Sequence, residues 1–246
     1  MSKKERIDKL IVDKGFIPSR ERAQAIVMAG KVLVNELKVE KPGHKFDPSC
    51  TIRIIGMDQP YVSRGGLKLA KAIDTFSIEV TNRIAIDIGA STGGFTDCLL
   101  QHGAAFVFAI DSGVHQLDWK LANNPHVNSI EQCNFRYLPF ETIGTFVDII
   151  VIDVSFISLT KILVNCSTFL KRGGDLVGLI KPQFEAGRDL VQKGGVIKSA
   201  SVHRSVIDNI KQFAQSLGFA MKAITDSPIS GKKSGNQEFL IHLVKH

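Results

Sequence analysis

Ile84-Ala85-Ile86-Asp87-Ile88-Gly89-Ala90-Ser91-Thr92-Gly93-Gly94-Phe95 is the stretch whose reading decides the fold. An apolar run reads as a buried strand, carries a carboxylate near its end, passes through a glycine-rich turn and enters a helix pattern near Gly94. Glycines let a backbone approach a ligand closely, and the start of a helix offers N–H groups with no internal partner. The spacing is Gly-x-x-x-Gly-Gly, neither the Gly-x-Gly-x-x-Gly of dinucleotide sites nor a Walker phosphate loop. It suits a nucleoside ligand that carries no phosphates, which points to S-adenosylmethionine. Asp111 ends the next apolar run, Phe106-Val107-Phe108-Ala109-Ile110, 24 residues after Asp87. A doubly wound fold sets there the acid that binds ribose hydroxyls. The candidate cofactor residues are therefore Asp87, Gly89, Ser91, Thr92, Gly93, Gly94, Phe95 and Asp111. Taken alone, the turn also reads as an ordinary strand-to-helix connection.

Downstream and upstream of this turn, apolar runs alternate with helical patterns. Strands are expected at 84–88, 106–110, 128–131, 147–153 and 175–181, and helices at 66–77, 94–102, 116–122, 157–171 and 201–217. Such alternation implies an open, mostly parallel sheet of the α/β class. The last two runs, 220–225 and 238–244, are joined by a loop too short for a crossover helix, so they should pair antiparallel. Two more charged residues end strand patterns: Asp153 after Val147-Asp148-Ile149-Ile150-Val151-Ile152, and Lys181 after Leu176-Val177-Gly178-Leu179-Ile180. A charge set against a buried strand is costly unless it faces a polar site. A plain salt bridge between the two is the alternative.

The first sixty residues read differently. Ile7, Leu10, Ile11 and Val12 form one helical stripe closed by Gly15; Ser19 reads as the N-cap of a second helix from Arg20 to Ala29, stopped by Gly30. Strand patterns follow at Val32-Leu33-Val34-Asn35 and Thr51-Ile52-Arg53-Ile54-Ile55, with a turn at Lys41-Pro42-Gly43 between them. A polar linker over 56–64 separates a small α+β domain, 1–60, from a large one, 61–246. The net charge of +7 is uneven: residues 1–60 hold 12 Lys/Arg against 8 Asp/Glu, the rest 19 against 16. A basic small domain beside a nearly neutral large one suggests an anionic polymer as partner. No apolar run approaches the ~18 residues that span a bilayer, and the polar N-terminus lacks a signal-peptide block. The expected location is the cytoplasm. Cys50, Cys98, Cys133 and Cys166 are scattered without a Cys-x-x-Cys pair, so neither a zinc knuckle nor a disulfide framework is implied.

Family likenesses enter at two sets of residues. Arg6-x-x-x-Leu10, Ser19-Arg20-x-x-Ala23, Ile26 and Gly30-Lys31-Val32-x-Val34-Asn35 resemble the RNA-binding module first named for small-subunit ribosomal protein S-four. The resemblance implies that Arg6, Lys9, Arg20, Arg22 and Lys31 face structured RNA, with Arg64 a further contact at the end of the linker. Solvated helix faces are the plain alternative. In the large domain, Lys68, Asp153, Lys181 and Glu238 resemble the Lys-Asp-Lys-Glu tetrad of FtsJ-type ribose 2′-O-methyltransferases. Lys181-Pro182-Gln183-Phe184-Glu185 and Gly235-Asn236-Gln237-Glu238-Phe239 add to the match, and the pairing of both domains is similar to the TlyA-type family, often labelled haemolysin A.

This resemblance implies a Rossmann-like, S-adenosylmethionine-dependent enzyme that methylates a ribose hydroxyl of ribosomal RNA, at cytidine. Lys181 would promote the attacking hydroxyl, as a charge or as a base, with Asp153 orienting it and Lys68 and Glu238 holding the ribose. Asn134 matches the family's position near the adenine edge, or is a simple turn residue. No metal is called for, since the sulfonium already carries the leaving group. The chain lacks the Asp/Asn-Pro-Pro-aromatic motif of amino methyltransferases, having Asp153-Val154-Ser155-Phe156 there, and lacks the Pro-Cys nucleophile of carbon-five enzymes. Two other classes stay open: a non-catalytic RNA-binding or ribosome-assembly factor, and a membrane-lytic haemolysin.

Overall fold

A helix stripe followed by short alternating strands builds the beginning of the chain. The computed structural model describes residues 4–56, 60–191, 194–229 and 235–246, in two units, Met1–Pro60 and Tyr61–His246. Of the expected linker, residues 57–59 lie outside the described ones. The first unit runs β1 (Glu5–Arg6), α1 (Ile7–Asp13), α2 (Arg20–Met28), β2 (Val32–Val34), β3 (Leu37–Val39), β4 (Lys45–Phe46) and β5 (Ile52–Ile54). The Ser19 hydroxyl accepts from Arg22 N–H and caps α2. Ile7, Leu10, Ile11, Ala23 and Val27 pack on Val32, Val34, Ile52 and Ile54 to close a small core. The sheet order is β3-β2-β5, and β1 pairs separately with β4.

β3 lies outside the sequence expectation. Asn35 and Glu36 both take positive φ, 49° and 64°, and join Val34 to Leu37 in a two-residue hairpin. Positive φ at both central positions is the signature of the turn that matches strand twist. The expected strand end at Asn35 is thus a turn.

The second unit runs α3 (Gly65–Phe76), β6 (Ile84–Ile88), α4 (Gly94–Gln101), β7 (Phe106–Ile110), α5 (Trp119–Ala122), β8 (Val127–Ile130), α6 (Phe140–Ile143), β9 (Val147–Ile152), α7 (Leu159–Phe169), β10 (Leu170–Ile180), α8 (Pro182–Glu185), α9 (Ala200–Ser216), β11 (Phe219–Asp226) and β12 (Phe239–Lys245). The helix expected over 116–122 shrinks to the single turn α5, because the Asp118 carboxylate accepts from Lys120 N–H and starts it late. Seven strands form one sheet, β11-β12-β10-β9-β6-β7-β8. From β10 to β8 neighbours are parallel, whereas β12 runs antiparallel to both β10 and β11.

Period-two alternation fills both faces. Along β9, Ile149 and Val151 meet Leu69, Phe95 and Leu99 of α3 and α4; Ile150 and Ile152 meet the α7 and α9 side through Ile162, Leu163, Val206 and Ile210. The chain leaves β6 toward β7 and β8 on one side and resumes at β9 and β10 on the other. That reversal opens a crevice beyond the carboxyl ends of β6 and β9, where open α/β sheets bind ligands.

Candidate active site

Two of the glycines in the turn after β6 are required by close approach of the chain to itself. Gly89 has φ +81°, and a Cβ there would stand 2.7 Å from the Asp153 carbonyl oxygen. A Cβ on Gly94 would collide with the Ser63 hydroxyl and stand 2.9 Å from Gly66 N. The turn is therefore pressed between the end of β9 and the start of α3, the two elements that bring Asp153 and Lys68.

Beneath the turn, Asp87 is fully buried and accepts from the Thr96 hydroxyl at 2.7 Å. Its Oδ1 is buried with no partner among the described residues. Burial pushes this carboxyl up to about 7, against the Thr96 hydrogen bond and with the Asp153 and Asp111 charges adding to the rise. Asp111 ties the turn to β7: Oδ2 accepts from Ser91 N–H at 2.8 Å, and Oδ1 from Gly113 N–H at 2.7 Å. Each carboxylate oxygen keeps a second lone pair.

A cavity of about 430 Å³ opens over the turn and is lined on its far side by Lys68, Asp153, Lys181 and Glu238. Their charges alternate. Lys181 Nζ meets Asp153 Oδ1 at 2.6 Å, Asp153 Oδ2 lies 3.7 Å from Lys68 Nζ, and Lys68 Nζ meets Glu238 Oε2 at 2.7 Å. Two cations and two anions cancel, which lets all four be withdrawn from bulk water at a tolerable cost. Lys181 follows β10 and Glu238 precedes β12, an antiparallel pair with Ile180 opposite Phe239; sheet register alone sets these two side by side.

Several partners in the site have no signal in the sequence pattern. Lys181 Nζ also donates to the Ser155 hydroxyl at 3.0 Å. Glu185 accepts from the Ser158 hydroxyl at 2.6 Å and from Leu159 N–H at 2.7 Å, so the segment after β10 caps α7 and clamps the loop that carries Asp153 and Ser155. Burial pushes the Glu185 carboxyl up, while those two donors favour its ionised form. Phe156 stands 90% exposed at φ +65°, its ring 5.1 Å from that of Phe184, which lines the cavity. A non-glycine aromatic at positive φ stores strain of the kind that collects at functional sites. The sequence cues were that Ser155 and Phe156 occupy the motif position after Asp153, and that Phe184 and Glu185 fall in the Lys181–Glu185 segment that resembles the family.

The other expected residues fall as follows. Gly89, Ser91, Thr92, Gly94, Phe95 and Arg64 line the cavity with the four charged residues; Asp87, Gly93, Asp111 and Asn134 do not. The Asn134 side chain accepts from Arg136 N–H at 3.3 Å and caps a short 3₁₀ turn. In the first unit, Lys9 is held by Glu5 of β1 and by Asp13 on its own helix, Arg22 and Lys31 are exposed, and Arg6 and Arg20 both donate to Asp8. No helix among the described residues is long and apolar enough to cross a membrane.

Comparison with known proteins finds two family models in the chain. A family model described as FtsJ-like methyltransferase matches residues 61–245, and one described as S4 domain matches residues 5–52. The chain is 44% identical over 240 residues to Hemolysin A of Brachyspira hyodysenteriae, covering 97% of this chain and 99% of that protein. It is 38% identical over 244 residues to the 16S/23S rRNA (cytidine-2′-O)-methyltransferase TlyA of Mycobacterium tuberculosis, covering 99% and 91%. A solved structure from Streptococcus thermophilus superposes with a TM-score of 0.75 at 46% identity, covering all of this chain and 90% of that one.

Proposed function

The chain belongs to the FtsJ-like methyltransferase family, and from that premise we propose that it transfers a methyl group from S-adenosylmethionine to the 2′-hydroxyl of cytidine in ribosomal RNA. Residues 1–60 then act as the RNA-binding domain and 61–246 as the catalytic one. The observation that carries this reading is the alternating Lys181–Asp153–Lys68–Glu238 network in the wall of the same cavity as the 89–94 turn.

The residues present fit the cofactor. Asp87 and Asp111 stand behind the turn and outside the cavity lining; from there the unpartnered Oδ1 of Asp87 would be an acceptor for the ammonium of its amino-acid end, and the second lone pairs of Asp111 would suit ribose hydroxyls. When bound, S-adenosylmethionine supplies an electrophilic methyl on a sulfonium leaving group.

The protein's own work is on the nucleophile. A ribose hydroxyl is a poor nucleophile at neutral pH, so the site must favour negative charge growing on its oxygen. Lys181 as an ammonium has three N–H bonds; Asp153 and Ser155 take two, which leaves one for that oxygen. Asp153 fixes the direction of the lysine head, and the Lys68–Glu238 pair beside it offers a donor and an acceptor to the rest of the ribose. In-line attack demands alignment of hydroxyl and methyl, so positioning supplies much of the rate. The pH–rate profile of Lys181→Arg separates the two roles open to this residue: a fixed charge survives the change in part, a proton acceptor does not, since guanidinium is never deprotonated.

The test is incubation with methyl-labelled S-adenosylmethionine and purified ribosomal subunits, followed by mapping of the label. Label on a cytidine 2′-oxygen supports the proposal. Tight binding of subunits without any label would leave an assembly factor, and lysis of pure lipid vesicles by the protein would revive the activity in the Hemolysin A name.

A further inference from the structure

Asp8 is a buried acid held between two arginines. It sits on α1, is wholly buried, and takes four hydrogen bonds. Arg6 donates through Nε to Oδ1 at 3.0 Å and through Nη2 to Oδ2 at 2.9 Å. Arg20 Nε reaches Oδ2 at 3.1 Å, and Gln24 Nε2 reaches it at 2.8 Å. The two arginines come from opposite sides of the α1–α2 turn, yet one carboxylate holds both. Their side chains remain 42% and 54% exposed.

The donor count is decisive. A guanidinium carries five N–H bonds. Arg6 gives two to Asp8 and Arg20 one, so the outer edges of both keep most of their donors. Two guanidinium charges against one carboxylate leave a net positive charge on the cluster. The side-chain entropy that an arginine ordinarily loses on gripping a phosphate has been given up in advance here. The Arg6 hydrogen bonds, then those of Gln24 and Arg20, hold the Asp8 carboxyl far below the usual range, against its burial; it stays ionised across the working pH range.

We propose that Asp8 is a positioning residue for RNA binding: it locks Arg6 and Arg20 into one preorganised clamp for a backbone phosphate. This rests on the reading of residues 1–60 as an RNA-binding domain and adds to it that an acid is required for affinity. Simple electrostatics says the reverse, since removing a negative charge should tighten binding to a polyanion.

The two accounts divide cleanly on Asp8→Asn in the full chain, with purified ribosomal RNA of both subunits as the probe and affinity measured across a salt series. The clamp predicts binding weaker by about tenfold at low salt and a salt slope shallower by about one, as phosphate contacts are lost. Unchanged or tighter binding overturns it. A purely structural role for Asp8 is separated by Gln24→Met, which removes an uncharged donor from the same carboxylate and should leave the slope as in the parent. A slope that drops equally in Gln24→Met also overturns the clamp. If Asp8→Asn loses the fold by thermal melting, Arg6→Lys serves instead: it keeps the charge, breaks the two-point grip, and should weaken binding, with wild-type affinity as the contrary result. Arg22→Ala and Lys31→Ala, at exposed positions away from Asp8, distinguish the two levels of failure. Weakening by these but not by Asp8→Asn removes the clamp alone; no effect from any of them removes RNA binding by this unit.

Discussion

Asp8 in the first unit and Asp153 in the second each stand between two cations, but the cations meet water differently. The partners of Asp8 are 42% and 54% exposed, whereas Lys181 and Lys68 beside Asp153 are 9% and 12% exposed. A guanidinium with its outer edge in solvent can exchange water for phosphate, and that exchange registers as salt-sensitive affinity. An ammonium closed into a cavity acts on whatever shares the cavity, where charges are less screened and fixed donors favour a transition state. The charge count agrees: two cations to one acid in the open cluster leave attraction for a polyanion, while two to two in the enclosed one leave a neutral, ordered site. In the proposed roles, similar ion pairs thus divide into recognition and chemistry by burial and count.

The comparison is broken most severely in the enclosed network. Lys68→Met, Asp153→Asn and Glu238→Gln should each lower single-turnover methyl transfer by roughly 10²–10³, and double variants should fall little further. Independent, multiplying losses measured by quenched-flow methyl transfer would mean that the four residues do not act as one unit.

Next in size is Asp111→Ala. It removes the acceptor proposed for the cofactor ribose and also the tie to Ser91 and Gly113. Cofactor affinity should weaken by ~1.5–3 kcal/mol, about ten- to a hundredfold, with RNA affinity untouched. Equal calorimetric affinities in the two proteins would take Asp111 out of the cofactor site.

Asp87 predicts a smaller, pH-dependent effect. Its carboxyl is pushed up to about 7 by burial, and in the proposed pairing only the ionised form would hold the cofactor ammonium. A proton must therefore leave before the pair forms. Affinity for S-adenosylmethionine should rise as pH increases toward 7, by at most about tenfold per pH unit, and level off above. Asp87→Asn should flatten the profile, and a flat wild-type profile by calorimetry would detach Asp87 from the ligand.

The smallest effect concerns acid stability of the first unit. Arg6 and its companions depress the Asp8 carboxyl below its ordinary value of 3.8, so ionisation stabilises the fold. That stability is fully present above about pH 4–5 and drains away as the pH falls below it toward the native value. Amide exchange within 5–54 should accelerate in acid more than exchange in β6 and β9, and Asp8→Asn should lose this acid dependence. Uniform acceleration across both units would contradict it.

What was legible in the sequence follows a physical line. The runs ending near Asp87, Asp111, Asp153 and Lys181 were readable because a buried parallel strand is a continuous apolar stretch, and a charge at its end is conspicuous. The antiparallel pairing of β11 with β12 followed from a loop too short to cross over. Lys68 and Glu238, 170 residues apart, could be joined only through a family likeness, since no local periodicity couples α3 to the start of the last strand. Asn35-Glu36 hid a hairpin, because the turn lacks the Asn-Gly pair that usually marks one. Glu185 capping α7 from 26 residues away, and Asp8 gathering donors from 12 and 16 residues onward, are tertiary contacts of polar residues. In a sequence such residues read as surface. The glycine turn was legible as a close approach, but Gly89 and Gly94 make that approach to the protein's own backbone.

The division between chemistry and recognition is tested most directly by Lys181→Ala, with the single-turnover methyl-transfer rate and the affinity for ribosomal RNA measured on one preparation. The account predicts a rate lower by ~10²–10⁴, with RNA and cofactor affinities as in the parent protein. A rate near that of the parent would contradict it and reduce Lys181–Asp153 to a structural salt bridge.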